Sequence, residues 1–136
     1  MNALIVVAHG SRKKEAVLDV ASLCEKISKK AMNRSGQAGS EKNGFDRVKY
    51  AFLQFAAPLL EAKIEELVKE GVTQIIVFPL FIAVGSHVLS DIPQLVETAS
   101  KKYPHVNISI TRHLGKADRI EELILGEVNT HLNRQV

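Results

Sequence analysis

The chain has 136 residues, 46% of them hydrophobic and 24% charged, and its formal net charge is +3. This length suits one domain, residues 1–136, that can bury a core without disulfides or structural metal. No apolar stretch has the length of a membrane span or the layout of a signal peptide, and scattered lysines with two tyrosines disfavour a nucleic-acid partner. The single Cys24 cannot form an internal bridge, which favours a cytoplasmic location.

The first third of the chain reads as a strand, a helix and a loop. ALIVVA (3–8) is a short apolar run typical of a strand buried on both faces. Ser11 is expected to cap the helix that follows. The apolar residues of that helix recur at spacings of three and four: Val17, Val20, Cys24, Ile27 and Ala31. The polar, glycine-rich segment 33–44 predicts a flexible loop within the domain.

The middle of the chain predicts two further strands and two helices. RVKYAFLQF (47–55) and QIIVFPLF (74–81) are the strands. Pro58 opens the helix between them and Gly71 ends it. The inward residues of that helix are predicted to be Leu60, Ile64, Leu67 and Val68. Asp91 and Pro93 mark the start of the next helix, with Asp91 as its cap. Its predicted inward residues are Ile92, Leu95, Val96 and Ala99.

VNISI (106–110) predicts a fourth strand, near a sheet edge. A last helix is expected over about 117–131, with four residues turned inward: Ile120, Leu123, Ile124 and Val128. Strand and helix thus alternate four times, which predicts an α/β fold with a four-stranded parallel sheet and helices on both faces.

In such sheets, ligands bind outside the carboxyl ends of the strands. The chain places polar or glycine-containing segments at the end of each predicted strand or after it: His9, Gln54, Gly85–His87 and Arg112–Gly115. If the first and third strands are neighbours, His9 and His87 can approach one small ion. Neutral imidazole binds cobalt, nickel, iron and zinc. Two histidines alone would hold a metal loosely, ready for transfer, and could accept protons when it leaves.

Four segments together resemble a known family. AHGSR (8–12), AFLQFAAP (51–58), VFPLFIAVGSHVLSDIP (77–93) and HLGKADRI (113–120) are similar to the sirohydrochlorin chelatases of the CbiX type, in their short single-domain form. The resemblance implies a flavodoxin-like fold, equivalent to one half of a class II chelatase. It implies insertion of a divalent metal, cobalt first and iron or nickel as alternatives, into sirohydrochlorin on the way to cobalamin or siroheme. No other cofactor is expected, and a homodimer is implied.

The resemblance also assigns roles to residues. His9 and His87 would bind the metal and assist deprotonation of the macrocycle. Sirohydrochlorin carries many carboxylates, which Ser11, Arg12, Lys13 and Ser86 could hold together with the backbone amides at the start of the first helix. Arg12 and Lys13 fit a solvated helix start equally well. Gly85 would let the backbone approach a flat ligand, or simply make the turn.

Gln54 departs from the family pattern, in which a glutamate commonly ends the second strand. Glutamine cannot take a proton and is a poor metal ligand. Three possibilities stay open: the histidines suffice, a nearby acid such as Glu61 or Asp91 substitutes, or activity is reduced.

Two other functions compete with this one. A phosphohistidine phosphatase or mutase needs an arginine directly before the histidine, where this chain has Ala8. A non-catalytic carrier of metal or tetrapyrrole remains an alternative to the enzyme, and Gln54 is the residue that favours it.

Overall fold

The computed structural model describes residues 1–32 and 44–134, with the backbone alone at His87 and Leu89. Most of the predicted loop 33–44 therefore lies outside the described residues. The elements follow in chain order: β1 Asn2–Ala8, α1 Lys14–Ala31, β2 Arg47–Phe52, α2 Leu60–Lys69, β3 Gln74–Pro79, α3 Ser86–Lys102, β4 Asn107–Ile110, a 3₁₀ turn Leu114–Lys116 and α4 Ile120–Arg134.

The four strands form one parallel sheet in the order β2-β1-β3-β4. This confirms the predicted α/β fold. It also makes β1 and β3 neighbours, because Ile5 pairs with Val77 in register. From β1 the chain first adds β2 on one side of the sheet and then β3 and β4 on the other side. The switch in strand order therefore falls at the carboxyl end of β1. His9 follows that strand directly.

The main core lies between the sheet and helices α2 and α3. Ile5 and Val77 point to this side, and both are fully buried. They pack in one cluster with helix residues that the 3.6-residue period had marked as inward: Leu60, Ile64, Leu67, Ile92, Val96 and Ala99. The predicted stripes of α2 and α3 are thereby confirmed. Helix α1 lies over β2 on the opposite side of the sheet, with Cys24 buried.

Helix α2 ends as the sequence predicts. Gly71 has φ +93°, a left-handed conformation that glycine adopts without strain. The turn is closed by two backbone hydrogen bonds, from Gly71 N–H to the Val68 carbonyl (3.0 Å) and from Val72 N–H to the Leu67 carbonyl (3.1 Å).

Three predicted helix starts were wrong. Pro58 does not open α2, which begins at Leu60. Ser11 does not cap α1, which begins at Lys14; its Oγ instead accepts a hydrogen bond from the Lys13 N–H (3.0 Å) and closes a local turn. Helix α3 begins at Ser86, not at Asp91. Pro93 lies inside the helix on its exposed side, where water can bind the carbonyl group that the missing proline N–H leaves unpaired.

Strand β2 ends at Phe52 rather than at Phe55. Phe55 has φ +68° and cannot continue an extended strand.

The prediction for the last helix was also wrong in part. Helix α4 forms, but Leu123, Ile124 and Val128 are 59%, 56% and 47% exposed instead of facing inward. The helix leaves the body of the domain after the 3₁₀ turn and contacts mainly that turn.

Among the described helices, none combines the length and the apolar composition that crossing a membrane requires.

Candidate active site

His9 and Gln54 meet just past the carboxyl ends of β1 and β2. The ladder between the strands continues beyond them, with Leu53 N–H donating to the Ala8 carbonyl (3.0 Å) and Gln54 N–H to the His9 carbonyl (3.1 Å). This register brings Nε2 of Gln54 to 3.2 Å from Nε2 of His9. The amide N–H donates to the ring when His9 carries its proton on Nδ1. Both side chains are exposed, so a ligand can reach the imidazole, and a metal ion that binds Nε2 takes the place of the Gln54 amide.

Gly10 allows this close approach of the two loops. Its φ is +108°, and a Cβ at this position would lie 1.7 Å from the carbonyl oxygen of Gln54. Any side chain here would push the loop after β1 away from the loop after β2. The His9–Gln54 contact therefore requires glycine at position 10 of the HGS segment.

Phe55 is a residue of the site that sequence reasoning missed. The prediction made it the last residue of the second strand, but the backbone there is not a strand, and its ring is 52% exposed and lies beside His9, with ring centroids 6.3 Å apart. The guanidinium carbon of Arg12 sits 4.9 Å from the centre of the same ring. A non-glycine residue at φ +68° in this position stores backbone strain, which is typical of functional sites. The signal in the sequence that could have indicated this site residue was an aromatic side chain directly after the polar Gln54.

A cavity of about 680 Å³ opens beside His9. It lies between the end of β2 and the facing sides of α2 and α3. Its lining residues are His9, Leu53, Gln54, Glu61, Val88, Asp91, Gln94, Leu95 and Thr98. Two carboxylates, of Glu61 and Asp91, thus share the cavity with the imidazole. Asp91 was predicted to cap α3; instead it lies in the second turn of that helix and faces the cavity.

The remaining predicted site residues lie at the start of α3. Gly85 and Ser86 are exposed, and His87 follows in the first helical turn. The side chain of His87 lies outside what the structure describes, so its convergence with His9 stays a prediction. Val88 and Asp91, one and four residues further along, both line the cavity. Among the described side chains, no group of three or more His, Cys, Asp or Glu residues could hold a metal ion.

A second, smaller cavity of about 210 Å³ lies on the other side of α3. Its walls are mainly apolar, and Arg112, His113 and Lys116 contribute to its lining at the end of β4. Arg112 also donates to the carboxylate of Asp118 at 2.8 Å. Val88 borders both cavities, so the first turns of α3 separate an acidic cavity from a basic one.

Comparisons with known proteins agree with this architecture. The family model CbiX matches residues 3–130. A sirohydrochlorin cobaltochelatase from Sulfurisphaera tokodaii is 32% identical over 127 residues, which are 91% of this chain and 88% of the relative. A sirohydrochlorin ferrochelatase from Priestia megaterium is 27% identical over 95% of this chain and 44% of its own length.

Solved structures agree as well. A CbiX protein from Marinobacter aquaeolei VT8 superposes with a TM-score of 0.76 at 26% identity, covering 98% of this chain and 99% of the other. The sirohydrochlorin chelatase SirB from Bacillus subtilis subspecies spizizenii, in complex with cobalt, superposes with a TM-score of 0.73 at 26% identity, over 95% of this chain and 50% of SirB. The chain spans about half the length of several curated relatives. With the family model matched over nearly its whole length, the chain belongs to the CbiX family.

Proposed function

We propose that this protein inserts a divalent metal ion into sirohydrochlorin, with cobalt as the first candidate and iron or nickel as alternatives. The observation that carries the proposal is the exposed imidazole of His9, held against Gln54 at the rim of a cavity that also contains Glu61 and Asp91. Relatives named as cobaltochelatases and as ferrochelatases support the substrate and the choice of cobalt or iron, whereas nickel is proposed only from the metal preferences of imidazole. No cofactor beyond the metal substrate is proposed.

The chemistry requires a ligand and a base in one place. Insertion of M²⁺ into the macrocycle releases two pyrrole N–H protons, so the reaction proceeds faster when a base stands beside the ring. A neutral imidazole can first bind the ion through a ring nitrogen and then, once the macrocycle takes the metal, accept a proton at that nitrogen. His9 is proposed for this role together with His87. The carboxylates of Glu61 and Asp91 can pass the protons on to solvent.

The surroundings of His9 suit a flat, polyanionic molecule. The exposed ring of Phe55 offers an apolar face for stacking. Arg12, above that ring, and Ser11 are proposed to bind carboxylates of the macrocycle. Gly85 and Ser86, at the N-terminal end of α3, are proposed to bind another of these groups through backbone N–H groups and the hydroxyl.

The active form is proposed to be a homodimer. The cavity beside His9 opens at the edge of a single sheet, and a second copy facing it would enclose a macrocycle more completely. The location is proposed to be the cytoplasm, where a buried free thiol such as Cys24 stays reduced.

A carrier of metal or tetrapyrrole is the second candidate, favoured by one observation. The group in contact with His9 is the neutral amide of Gln54, which cannot accept a proton. A carrier would bind its ligand stoichiometrically, whereas a chelatase turns over.

The test is a spectroscopic chelation assay. Sirohydrochlorin is mixed with Co²⁺, Fe²⁺ or Ni²⁺ in turn, and the shift of its visible bands is followed with substoichiometric protein. Many turnovers per protein, above the rate without protein, support the chelatase. A band shift that stops at one equivalent supports the carrier, and no acceleration with any metal rejects the enzyme.

A further inference from the structure

The smaller cavity, on the far side of α3 from His9, takes no part in the reaction proposed above. It lies between the start of α3 and the ends of β3 and β4, and its volume is about 210 Å³. Its apolar walls include Phe81, Val84, Val88, Ile92 and Ile110. All of these except Ile92 are only half-buried. An apolar group of a ligand that entered the cavity would cover this surface and be stabilised by doing so.

Basic side chains lie at one end of the same cavity. Arg112, His113 and Lys116 contribute to its lining, and all three follow β4. Arg112 donates one N–H to Asp118 (2.8 Å), in an ion pair whose side chains are 65% and 83% exposed. Water screens so exposed a pair, and the guanidinium keeps other N–H groups to donate. Lys116 has no ion-pair partner among the residues that the structure describes. Both cations can therefore bind an anion without giving up a buried interaction.

The two cavities beside α3 differ in charge. Glu61 and Asp91 line the cavity beside His9. Arg112 and Lys116 line the smaller one, and its described lining contains no carboxylate. A molecule with many carboxylates that lies across the start of α3 is repelled on the first side and attracted on the second. The difference in charge favours placing its carboxylates over the smaller cavity.

A short aliphatic chain that ends in a carboxylate matches this cavity. Its methylene groups would contact the apolar walls, and its carboxylate would meet the guanidinium and ammonium groups at the end. Sirohydrochlorin carries acetate and propionate side chains of this kind around its edge.

The strand spacing places the smaller cavity within reach of a macrocycle that lies over His9. Adjacent strands are about 4.8 Å apart, so the end of β4 lies about 10 Å from the end of β1. About six bonds of roughly 1.5 Å separate the centre of a tetrapyrrole from the carboxyl carbon of a propionate, a reach of roughly 8 Å once the bond angles are counted. A metal ion held between the ends of β1 and β3 shortens the distance that remains.

We infer that the smaller cavity binds one carboxylate side chain of sirohydrochlorin, with Arg112 and Lys116 as the groups that contact the carboxylate. This rests on the proposed function and adds specificity-determining residues to it. Arg12 contacts the ring of Phe55, which follows β2, so cations hold the macrocycle on both sides of His9. A tetrapyrrole that lacks a carboxylate at this point of its edge makes neither ionic contact and binds more weakly.

The first test measures the binding of sirohydrochlorin without metal, by the change in its own fluorescence. Arg112→Gln and Lys116→Gln are each expected to raise the dissociation constant about 10-fold, because each removes a charge-assisted hydrogen bond. Arg119→Gln is the matched control: it removes the same charge just before α4, from an 85% exposed side chain that does not line the cavity. Its dissociation constant should match that of the unmodified protein. Equal losses in Arg112→Gln and Arg119→Gln would overturn the inference, since only the net charge would then matter.

The second test identifies the group that Arg112 contacts. Sirohydrochlorin whose carboxylates are converted to amides offers no negative charge to the cavity. The unmodified protein and Arg112→Gln should bind this amide with nearly equal dissociation constants, because the partner of the guanidinium is gone. If Arg112→Gln weakens the binding of the amide as much as that of the acid, Arg112 does not contact a carboxylate and the inference is wrong.

The third test fills the cavity and leaves its charge unchanged. Val84→Trp places a large ring among the apolar walls and is expected to raise the dissociation constant about 10-fold, because the side chain of the substrate can no longer enter. Ala83→Trp adds the same ring at the preceding residue, which does not line the cavity, and should bind as the unmodified protein does. Urea unfolding verifies that both variants are folded. Unchanged binding in folded Val84→Trp would contradict the occupied cavity.

The chelation assay separates the failure of this inference from the failure of the proposed function. Arg112→Gln should raise KM and leave kcat nearly unchanged, because the contact is the same before and during metal transfer. Turnover with the same KM in Arg112→Gln removes the carboxylate site and keeps the enzyme. Binding of metal-free sirohydrochlorin that depends on Arg112, without turnover with any metal, keeps the carboxylate site and removes the enzyme.

Discussion

A β-carbon on Gly10 would lie 1.7 Å from the carbonyl oxygen of Gln54. The loops after β1 and β2 are therefore in contact through a position that only glycine fits, and His9 is carried by the first of them. Gly10→Ala combines this clash with a left-handed φ, so we expect it to lower the free energy of unfolding by about 2–4 kcal/mol. Urea unfolding measures this, and the chelation rate should fall with it.

Gly126→Ala is the matched control. Gly126 lies within α4, and a Cβ there would meet nothing within 4 Å. Alanine is favoured over glycine inside a helix, so stability should stay constant or rise by up to about 1 kcal/mol. Similar losses from both substitutions would mean that Gly10 has no special role.

Removing either imidazole should slow the reaction. His9→Ala and His87→Ala are each expected to lower kcat by about 100-fold or more while the urea midpoint stays near that of the unmodified protein. If the two rings act on one metal ion, the double variant should lose little beyond either single one, since residues that act as a unit are not additive.

His105→Ala is the control for these variants, because His105 is exposed in the turn before β4. Its rate should match that of the unmodified protein. Full activity in His9→Ala, or multiplied losses in the double variant, would contradict a shared metal site.

The parts of the fold that the sequence predicted are those in which local pattern and tertiary packing agree. The run ALIVVA is buried except at the half-buried Leu4, because β1 lies between β2 and β3, and the position of His9 at the switch in strand order follows from that topology. Helix α2 was predictable for a similar reason: its stripe faces the core, and Gly71 is the residue that a left-handed end requires.

The missed parts depend on contacts that pattern does not encode. Asp91 and Pro93 read as a helix start, but the helix had already begun at Ser86, and Asp91 was thereby turned into the cavity. Phe55 ends the strand that the sequence predicts over 47–55, whereas its φ of +68° is incompatible with an extended strand. For α4, periodicity shows that a stripe exists without showing what packs against it.

A carboxylate introduced beside His9 should increase the rate. Gln54→Glu places a group that can take a proton within hydrogen-bond distance of the imidazole, and we expect kcat to rise about 10-fold. The comparison is made by the chelation assay with each metal in turn.

Gln94→Glu adds the same carboxylate to the same cavity, on α3 rather than beside His9. We expect little change in kcat from it. If Gln54→Glu and Gln94→Glu change the rate equally, the added negative charge in the cavity causes the change, and the contact with His9 does not.

The exposed ring of Phe55 is expected to bind the macrocycle. Phe55→Ala should raise KM for sirohydrochlorin roughly 10-fold and leave kcat nearly unchanged, because stacking acts on the bound substrate as well as on the transition state. Leu59→Ala, a nearby apolar truncation at a 38% exposed position, serves as the control and should leave KM unchanged.

The backbone of Phe55 offers an independent check on strain. A φ of +68° costs glycine less conformational energy than alanine, because glycine has no Cβ. Phe55→Gly should therefore unfold at a higher urea concentration than Phe55→Ala. The reverse order would show that the left-handed conformation is not retained in the variants.

Cys24 should make the fold less stable in alkaline solution. Burial raises the pKa of its thiol, and the nearby charges of Lys49 and Lys63 offset this only in part. In the unfolded chain the thiol ionises at its ordinary value, so from about pH 8.5 upward the unfolded state loses its proton first and the free energy of unfolding falls. Urea unfolding between pH 7 and pH 10 measures the slope.

Cys24→Ala isolates the contribution of the thiol to this slope. The variant should be less stable at pH 7, because it leaves a cavity under α1, yet its stability should decline less steeply with rising pH. In the unmodified protein, iodoacetamide should alkylate Cys24 at pH 8 at least about 10-fold more slowly than in urea, since a buried neutral thiol is a poor nucleophile. Equal alkylation rates would place the thiol at the surface, and the alkaline slope would then need another titrating group.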